Sequence, residues 1–516
     1  MNEKWKKRGF LVPVSAVAAL LLNGCVSGNK SVDSAIAGLR SGNDIQALAW
    51  AEDMKHSWYS KQLGYIEAGR VRMLCGDFKG SSTNFSVAIE SMIDQTDEGP
   101  VVKVGDVGAN IMAGTITDDR TRPYNLPAYE FIQALNYQMM NHIFLGNISA
   151  AGVEARRAVF AQDAIAEKYG SDLKASADRQ AAEAQGREGE KTAATDKDKT
   201  DSMANVDAKM VNMAPVLEKS RNSYENGLVW YLCGVILEEQ GDQSNAALSY
   251  RKANELALHN PYVRKDFLRL LRTQDQVAYR TLIQQYNLQE SDLHRAPAEV
   301  IIVFEESFVP QRKSVKVPLP VGGTLTSADF PIYEEGLYRP MSFEIGLAGG
   351  RTLGAGSQAV NLQALAYHDL KEKIPGIVVR NVTRIGTRIA AQQVANHAGG
   401  DTLKFGVMAF NAISTLINKA DTRAWYTLPA LAYLTSHPVE PGQLRLHVRN
   451  PATGYQIEIP IEVSAGERRL VWIADIEGCS RIGTASLNGR GAPPTFKVDD
   501  SLLTGPRVLY SAQKKF

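Results

Sequence analysis

The residue whose surroundings most clearly specify chemistry is Cys25, which closes the stretch Leu22-Asn23-Gly24-Cys25. Small residues before a cysteine form a lipobox. There the thiol is diacylated, the peptide before it is cut, and the freed amino group is acylated, with palmitate among the chains carried. Lys4, Lys6, Lys7 and Arg8 open the chain, and an apolar run follows from Phe10 to Leu22. That run is shorter than the ~20 apolar residues needed to span a bilayer and has the layout of a signal-peptide core. Residues 1–24 are therefore expected to be a lipoprotein signal peptide, removed before Cys25. Two or more acyl chains hold a protein stably on a membrane, at ~0.8 kcal/mol per buried CH₂. Val26 and Ser27 follow the cysteine, with no aspartate. The expected address is thus the periplasmic face of a Gram-negative outer membrane. The competing reading is an ordinary secretory signal with a chance cysteine, or an uncleaved anchor.

Elsewhere the chemistry-bearing residues are scattered. None of the eight histidines pairs with another at metal-ligand spacing, and none precedes a glutamate in a zincin pattern. There is no Gly-x-Ser-x-Gly elbow and no Walker A loop. Gly354-Ala355-Gly356 lacks the third glycine of a dinucleotide loop and reads as a turn. No metal, no cofactor and no enzymatic activity are expected, although a site assembled from distant residues stays open. Of the cysteines besides Cys25, Cys75 and Cys233 lie on apolar helical faces and read as buried small side chains rather than a bridge.

Two polar clusters could contact a partner. Glu154-Ala155-Arg156-Arg157 lies on a helix; its charges either line a groove or face water. Asp421-Thr422-Arg423-Ala424-Trp425 holds an arginine and a tryptophan, the side chains that often anchor interfaces. The alternative there is an internal Asp421–Arg423 pair with Trp425 in the core.

The elements that must position these residues fall into two halves. Gly-Asn/Asp turns recur at Gly42, Gly76, Gly146 and Gly241, the first two 34 residues apart and the third 70 further on. Around Gly76, Tyr65, Ala68 and Gly69 precede the turn, and Phe85 and Ala88 follow it. Around Gly241, Trp230, Cys233 and Gly234 precede, and Ala246, Tyr250 and Ala253 follow. Small residues let paired helices approach closely, and the aromatic fills the gap between hairpins. Residues 25–295 are expected to form an α-solenoid of tetratricopeptide-like hairpins. Within it, 166–210 is a polar insertion, with 186–200 expected to be disordered.

Near Ala296 the apolar period changes from helical to alternating. Strands are expected at 300–304, 315–320, 341–347, 358–362, 425–434, 443–448, 455–463 and 468–476. A helical insertion at about 366–419 breaks at Pro375-Gly376. Residues 296–479 are thus expected to be a mainly antiparallel β-sandwich, followed by a 480–516 tail in which 506–510 could pair on an edge. The whole is an α+β chain. Its net charge of +1 gives no reason to expect nucleic acid.

In order along the chain come the lipobox, Gly76-Asp77-Phe78, Arg122-Pro123-Tyr124, Tyr129-Glu130 and Ala134-Leu135-Asn136-Tyr137. Val153-Glu154-Ala155-Arg156-Arg157-Ala158, Gly241-Asp242 and Asp421-Thr422-Arg423 with Trp425, Leu428 and Pro429 follow. In this order they resemble an uncharacterised family of bacterial outer-membrane lipoproteins with a tetratricopeptide-like N-terminal half. The resemblance implies an address and an architecture rather than an activity. By association, such lipoproteins lie in envelope gene clusters beside small lipoproteins similar to peptidoglycan-synthase activators and curli-secretion subunits. The expected partners are the membrane, through the lipid, and other envelope proteins. The expected role is scaffold or assembly factor in outer-membrane or cell-wall biogenesis. The alternatives are a peptidoglycan-synthase regulator, or a carbohydrate-binding or enzymatic β-domain.

Overall fold

The computed structural model describes residues 27–96, 99–102, 123–184, 192–293, 297–333, 343–397, 419–450, 454–499 and 501. Cys25, residues 186–191 of the 186–200 stretch, residues 398–418 of the helical insertion and 506–510 lie outside them.

Gly42, Gly76, Gly146 and Gly241 have φ of +77, +80, +73 and +82°. This is left-handed backbone, open to glycine without a Cβ penalty. Each glycine separates two helices. Helices α1 (Ser27–Ser41) and α2 (Asp44–Met54) flank the first, α3 (Lys61–Leu74) and α4 (Phe78–Glu90) the second. A small hairpin of β1 (Ile93–Thr96) and β2 (Gly99–Val102) precedes the third turn, which joins α5 (Ala128–Phe144) to α6 (Ile148–Ala184). Helix α7 (Asp196–Lys209) follows. Helices α8 (Gly227–Glu239) and α9 (Gln243–Leu256) flank Gly241, and α10 (Pro261–Gln274) and α11 (Gln276–Gln285) complete this half. The residue after each of the last three glycines caps the next helix. Asp77 accepts from the Gly80 amide, Asn147 from Ala150 and Asp242 from Asn245.

The small and aromatic positions also match between hairpins. Gly69 lies seven residues before its turn and Phe85 nine after; Gly234 and Tyr250 hold the same places around Gly241. A Cβ on either glycine would stand 2.9 Å from the aromatic ring, so the close approach needs glycine. The third hairpin carries Met139 and Ala155 there, both fully buried, with the large side chain moved to the first helix.

The β region runs β3 (Glu299–Glu306), β4 (Lys313–Val321), β5 (Thr324–Ile332), β6 (Glu344–Leu347), β7 (Thr352–Ala355) and β8 (Gln358–Asn361). Helix α12 (Leu362–His397) comes next. Then follow β9 (Leu431–Pro438), β10 (Gly442–Asn450), β11 (Tyr455–Val463), β12 (Arg468–Ile476), β13 (Cys479–Ser486) and β14 (Thr495–Asp499). A six-stranded sheet has the order β14-β13-β12-β3-β9-β8, a four-stranded one β11-β10-β6-β7, and β4 pairs with β5. Strands β3 and β12 pair in parallel; the other pairings are antiparallel. The chain is therefore α+β, helices first and sheets after.

Strand β3 is buried at every position, and its two faces serve different cores. Ile301 and Val303 pack with the helices. Val300, Ile302 and Phe304 pack with Ile345, Leu446, Val448, Ile457 and Ile459 of the four-stranded sheet. On β12, Leu470 and Trp472 face the helices, and Val471 and Ile473 face the other sheet. Burial on both sides is why these strands read as continuous apolar runs. Strand β11 alternates buried and exposed from end to end, as expected for a sheet with one face in water.

Several expectations are corrected. Residues 480–516 are not simply a tail, because β13 and β14 extend the six-stranded sheet. Part of the 186–200 stretch is ordered: Thr195 and Asp198 form a capping box, and α7 packs on β4, where Asn205 donates to the Pro318 carbonyl. The helical insertion begins at Leu362, and α12 continues through Pro375. Pro375 is exposed, so water can serve the carbonyl that its ring leaves without a donor. Strand β9 starts at Leu431 rather than 425, because the preceding residues turn inward. As expected for Cys75 and Cys233, no bridge forms, and Cys479 is unbridged too.

Candidate functional site

The two predicted clusters occupy different environments. Arg156 is 47% exposed and its guanidinium donates to Asp242 across to the next hairpin at 3.3 Å. Arg157 pairs with Glu154 at 3.3 Å on the same helix. Burial raises the Glu154 carboxyl, Arg157 lowers it and Glu90 opposes that. Val153 and Phe160, on the same helix, are exposed. This surface of α6 thus carries guanidinium groups between apolar side chains, a composition suited to binding protein.

The second cluster lies in the seam between helices and sheet. Trp425 is 1% exposed, with its ring 5.9 Å from Phe85 and 5.7 Å from Tyr137. Its indole donates to Thr427 Oγ1 at 3.1 Å and its backbone amide to Glu130 at 3.1 Å. The expectation that Trp425 contacts a separate partner is corrected: its surface is already spent inside this chain. Arg423 forms a two-point pair with Asp421, at 2.8 and 2.6 Å. It also donates to the Tyr59 carbonyl. Its role is internal.

What sequence reading missed is the charge built into this seam. Helix-facing positions of the sheet carry ionic side chains beside the apolar ones. Glu305 of β3 accepts from Arg70 at 2.6 Å, Tyr137 at 2.9 Å and the Trp472 indole at 3.0 Å. The Arg70 guanidinium lies over the Tyr137 ring at 4.5 Å. Arg481 of β13 donates to Asp44 at 2.6 Å. Beside it, Gly483 lies against the Phe144 ring, where a Cβ would stand at 2.8 Å.

The densest group surrounds Arg468. Its guanidinium donates to Glu299 at 2.7 Å, Glu238 at 2.8 Å and Asp266 at 3.3 Å. Arg269 donates to both oxygens of Glu238, at 2.6 and 2.7 Å. Burial works to raise Glu238, but Arg468 and Arg269 overcome it and hold the carboxyl at about 2. Burial and the neighbouring Glu299 raise Asp266 instead. Arg468 also faces Glu239 at 3.7 Å. Alternation places such residues on one face of a strand, but one sequence gives no sign of which helix answers them.

A second group joins Glu67 and Glu130. Glu67 accepts from the Tyr426 amide and the Thr427 hydroxyl, both at 2.5 Å. Burial pushes its carboxyl up to about 8; the two hydrogen bonds oppose this and Glu130 adds to it. Glu130 is raised by burial too, against hydrogen bonds from Tyr124, Trp425 and Tyr129. Glu67 therefore holds a proton in the folded chain that it releases at about 4.5 when unfolded. A raised folded value means that this contribution is complete below 4.5 and is lost as pH rises through 8. Comparing wild type with Glu67→Gln by urea unfolding, the advantage of wild type should fall with rising pH across that window. The slope should approach ~1.4 kcal/mol per pH unit. Parallel pH profiles for the two proteins would contradict the proton assignment.

Among the described residues, no group of three or more His, Cys, Asp or Glu side chains is placed to hold a metal ion, and no helix is long and apolar enough to cross a membrane. Comparison with known proteins gives no match: no family model, no curated protein and no solved structure aligns with the chain.

Proposed function

We propose that this chain is a lipid-anchored protein of the outer membrane's periplasmic face that works by binding other envelope proteins. It serves as a scaffold or assembly factor in outer-membrane or cell-wall biogenesis. In this reading Cys25 carries the lipid, the helical array is a tetratricopeptide-like solenoid, and the two sheets with a shared core form a sandwich. The observation that carries it is the exposed surface of α6, where Val153, Arg156 and Phe160 stand beside the Arg157–Glu154 pair. A tether raises the effective concentration of nearby partners, so a weak surface of this kind suffices.

Charge reversal at both Arg156 and Arg157 tests it. Exposed ion pairs contribute only ~0–1 kcal/mol, so the double variant should keep its helical content. Pull-down from crosslinked membranes should lose the partner that wild type captures. Capture that survives the reversal would remove α6 from the binding surface. A peptidoglycan synthase as the captured partner would support the regulator alternative. Turnover of a cell-wall substrate by the purified protein would overturn the non-catalytic reading.

A further inference from the structure

The first hairpin brings an exposed aromatic pair to the end at which α1 begins. Helices α1 and α2 pack on each other across the Gly42 turn, so the start of α1 and the end of α2 lie at the same end of the hairpin. At ~1.5 Å per residue, α2 returns about 16 Å of the roughly 22 Å that α1 travels. The loop 55–60 follows directly. Only Val26 separates Cys25 from Ser27, where α1 begins.

In that loop Trp58 is 64% exposed and Tyr59 43%, with their rings edge to face at 6.0 Å. The backbone beneath them is fixed. The Ser57 amide donates to Met54 at 3.3 Å and the Ser60 amide to Ser57 at 3.1 Å. The Tyr59 carbonyl accepts from the Tyr124 amide at 2.7 Å and from Arg423. Arg423 thus acquires a structural reason: it holds the loop. Of the described tryptophans, only Trp58 is exposed; Trp50, Trp230, Trp425 and Trp472 are buried.

We propose that Trp58 and Tyr59 form a second membrane contact, entering the headgroup region of the bilayer that holds the Cys25 acyl chains. This rests on the lipid-anchor reading. Amphipathic rings are favoured at that depth, with an apolar body and a polar tip. Surrounding charge is mixed, because Lys55 is taken up by Glu52 and Asn84. The contact therefore works by partition of the rings into the interface rather than by attraction to anionic lipid. Two contacts fix the tilt of the body, whereas a single lipid leaves it free to swing.

The test uses the full lipidated protein in phosphatidylcholine vesicles whose acyl chains carry bromine. Mass spectrometry of Cys25 and flotation read the anchor. Trp58 emission, taken as wild type minus Trp58→Phe, reads the loop. Flotation, quenching of that emission by bromine and loss of its quenching by aqueous iodide are expected together. A protein that floats with a lipidated Cys25 while Trp58 stays open to iodide and blind to bromine overturns the loop contact and leaves the anchor standing. An unmodified Cys25 without flotation removes the anchor and the loop contact together. Protection of Trp58 that appears only in native membranes assigns the rings to a protein partner and overturns the bilayer contact.

Discussion

Replacing Arg468 by methionine is expected to destabilise the protein by at least ~3–5 kcal/mol, the cost of removing one member of a buried ion pair. The reason is what stays behind. Glu238, Asp266 and Glu299 surround the guanidinium in the helix–sheet seam, and Arg269 alone cannot answer them. Glu238 then loses one of the two cations that hold it at about 2. Its value must rise, so the variant loses stability that the depressed carboxyl gives wild type above 4.5 and that wild type itself loses as pH falls through 2. The deficit of Arg468→Met relative to wild type should therefore be largest above 4.5 and shrink as pH falls towards 2. Urea unfolding at several pH values measures it. Arg468→Lys should recover part of the loss, because the charge returns without the planar fork that spans several carboxylates. A pH-independent deficit would show that packing of the side chain, not its charge, holds the seam.

Trp425→Ala should cost ~3–5 kcal/mol, as other buried aromatic truncations do. The ring lies among Phe85 and Tyr137, so its removal opens a cavity between α4, α5 and the sheet. The neighbouring Thr427 also loses its indole donor. Thermal or urea unfolding checks this. A variant of unchanged stability would mean that Trp425 is not core, and would restore it as a contact for a partner. Trp425→Phe, which keeps most of the volume, should lose clearly less.

These two residues mark how far the sequence could be read. Strands β11 and β12 are found at the expected residues, 455–463 and 468–476. Their apolar spacing is strong because β11 has one wet face and β12 none. The helical turns at Gly76, Gly146 and Gly241 were legible because a left-handed residue leaves few choices besides glycine. Strand β13 was not legible. Its helix-facing positions hold Arg481 and Gly483 because Asp44 and Phe144 occupy the space opposite, so the apolar signal of a strand is missing for a tertiary reason. Helix α7 was obscured by its polarity; Val206 and Ser202 are its buried residues. The Thr195–Asp198 capping spacing was the clue to it. Strand β5 has polar residues in its first half, which weakens its alternation. For the seam, the sequence supplies each arginine and glutamate but not their pairing, since the partners of Arg468 lie up to 230 residues away.

The distance between partners also sets an order of events. Arg481 reaches Asp44 across 437 residues, and β3 waits for β12 before its parallel edge is filled. A chain delivered from its N-terminus first therefore displays the sheet-facing side of its early helices while Arg70 waits for Glu305, Glu67 for Tyr426 and Thr427, and Asp44 for Arg481 of β13. Non-local pairing of this kind slows folding and leaves apolar surface open to aggregation in the meantime. Release of a chain ending before Cys479 should yield not a smaller working helical unit but a species that chaperones hold and proteases clear.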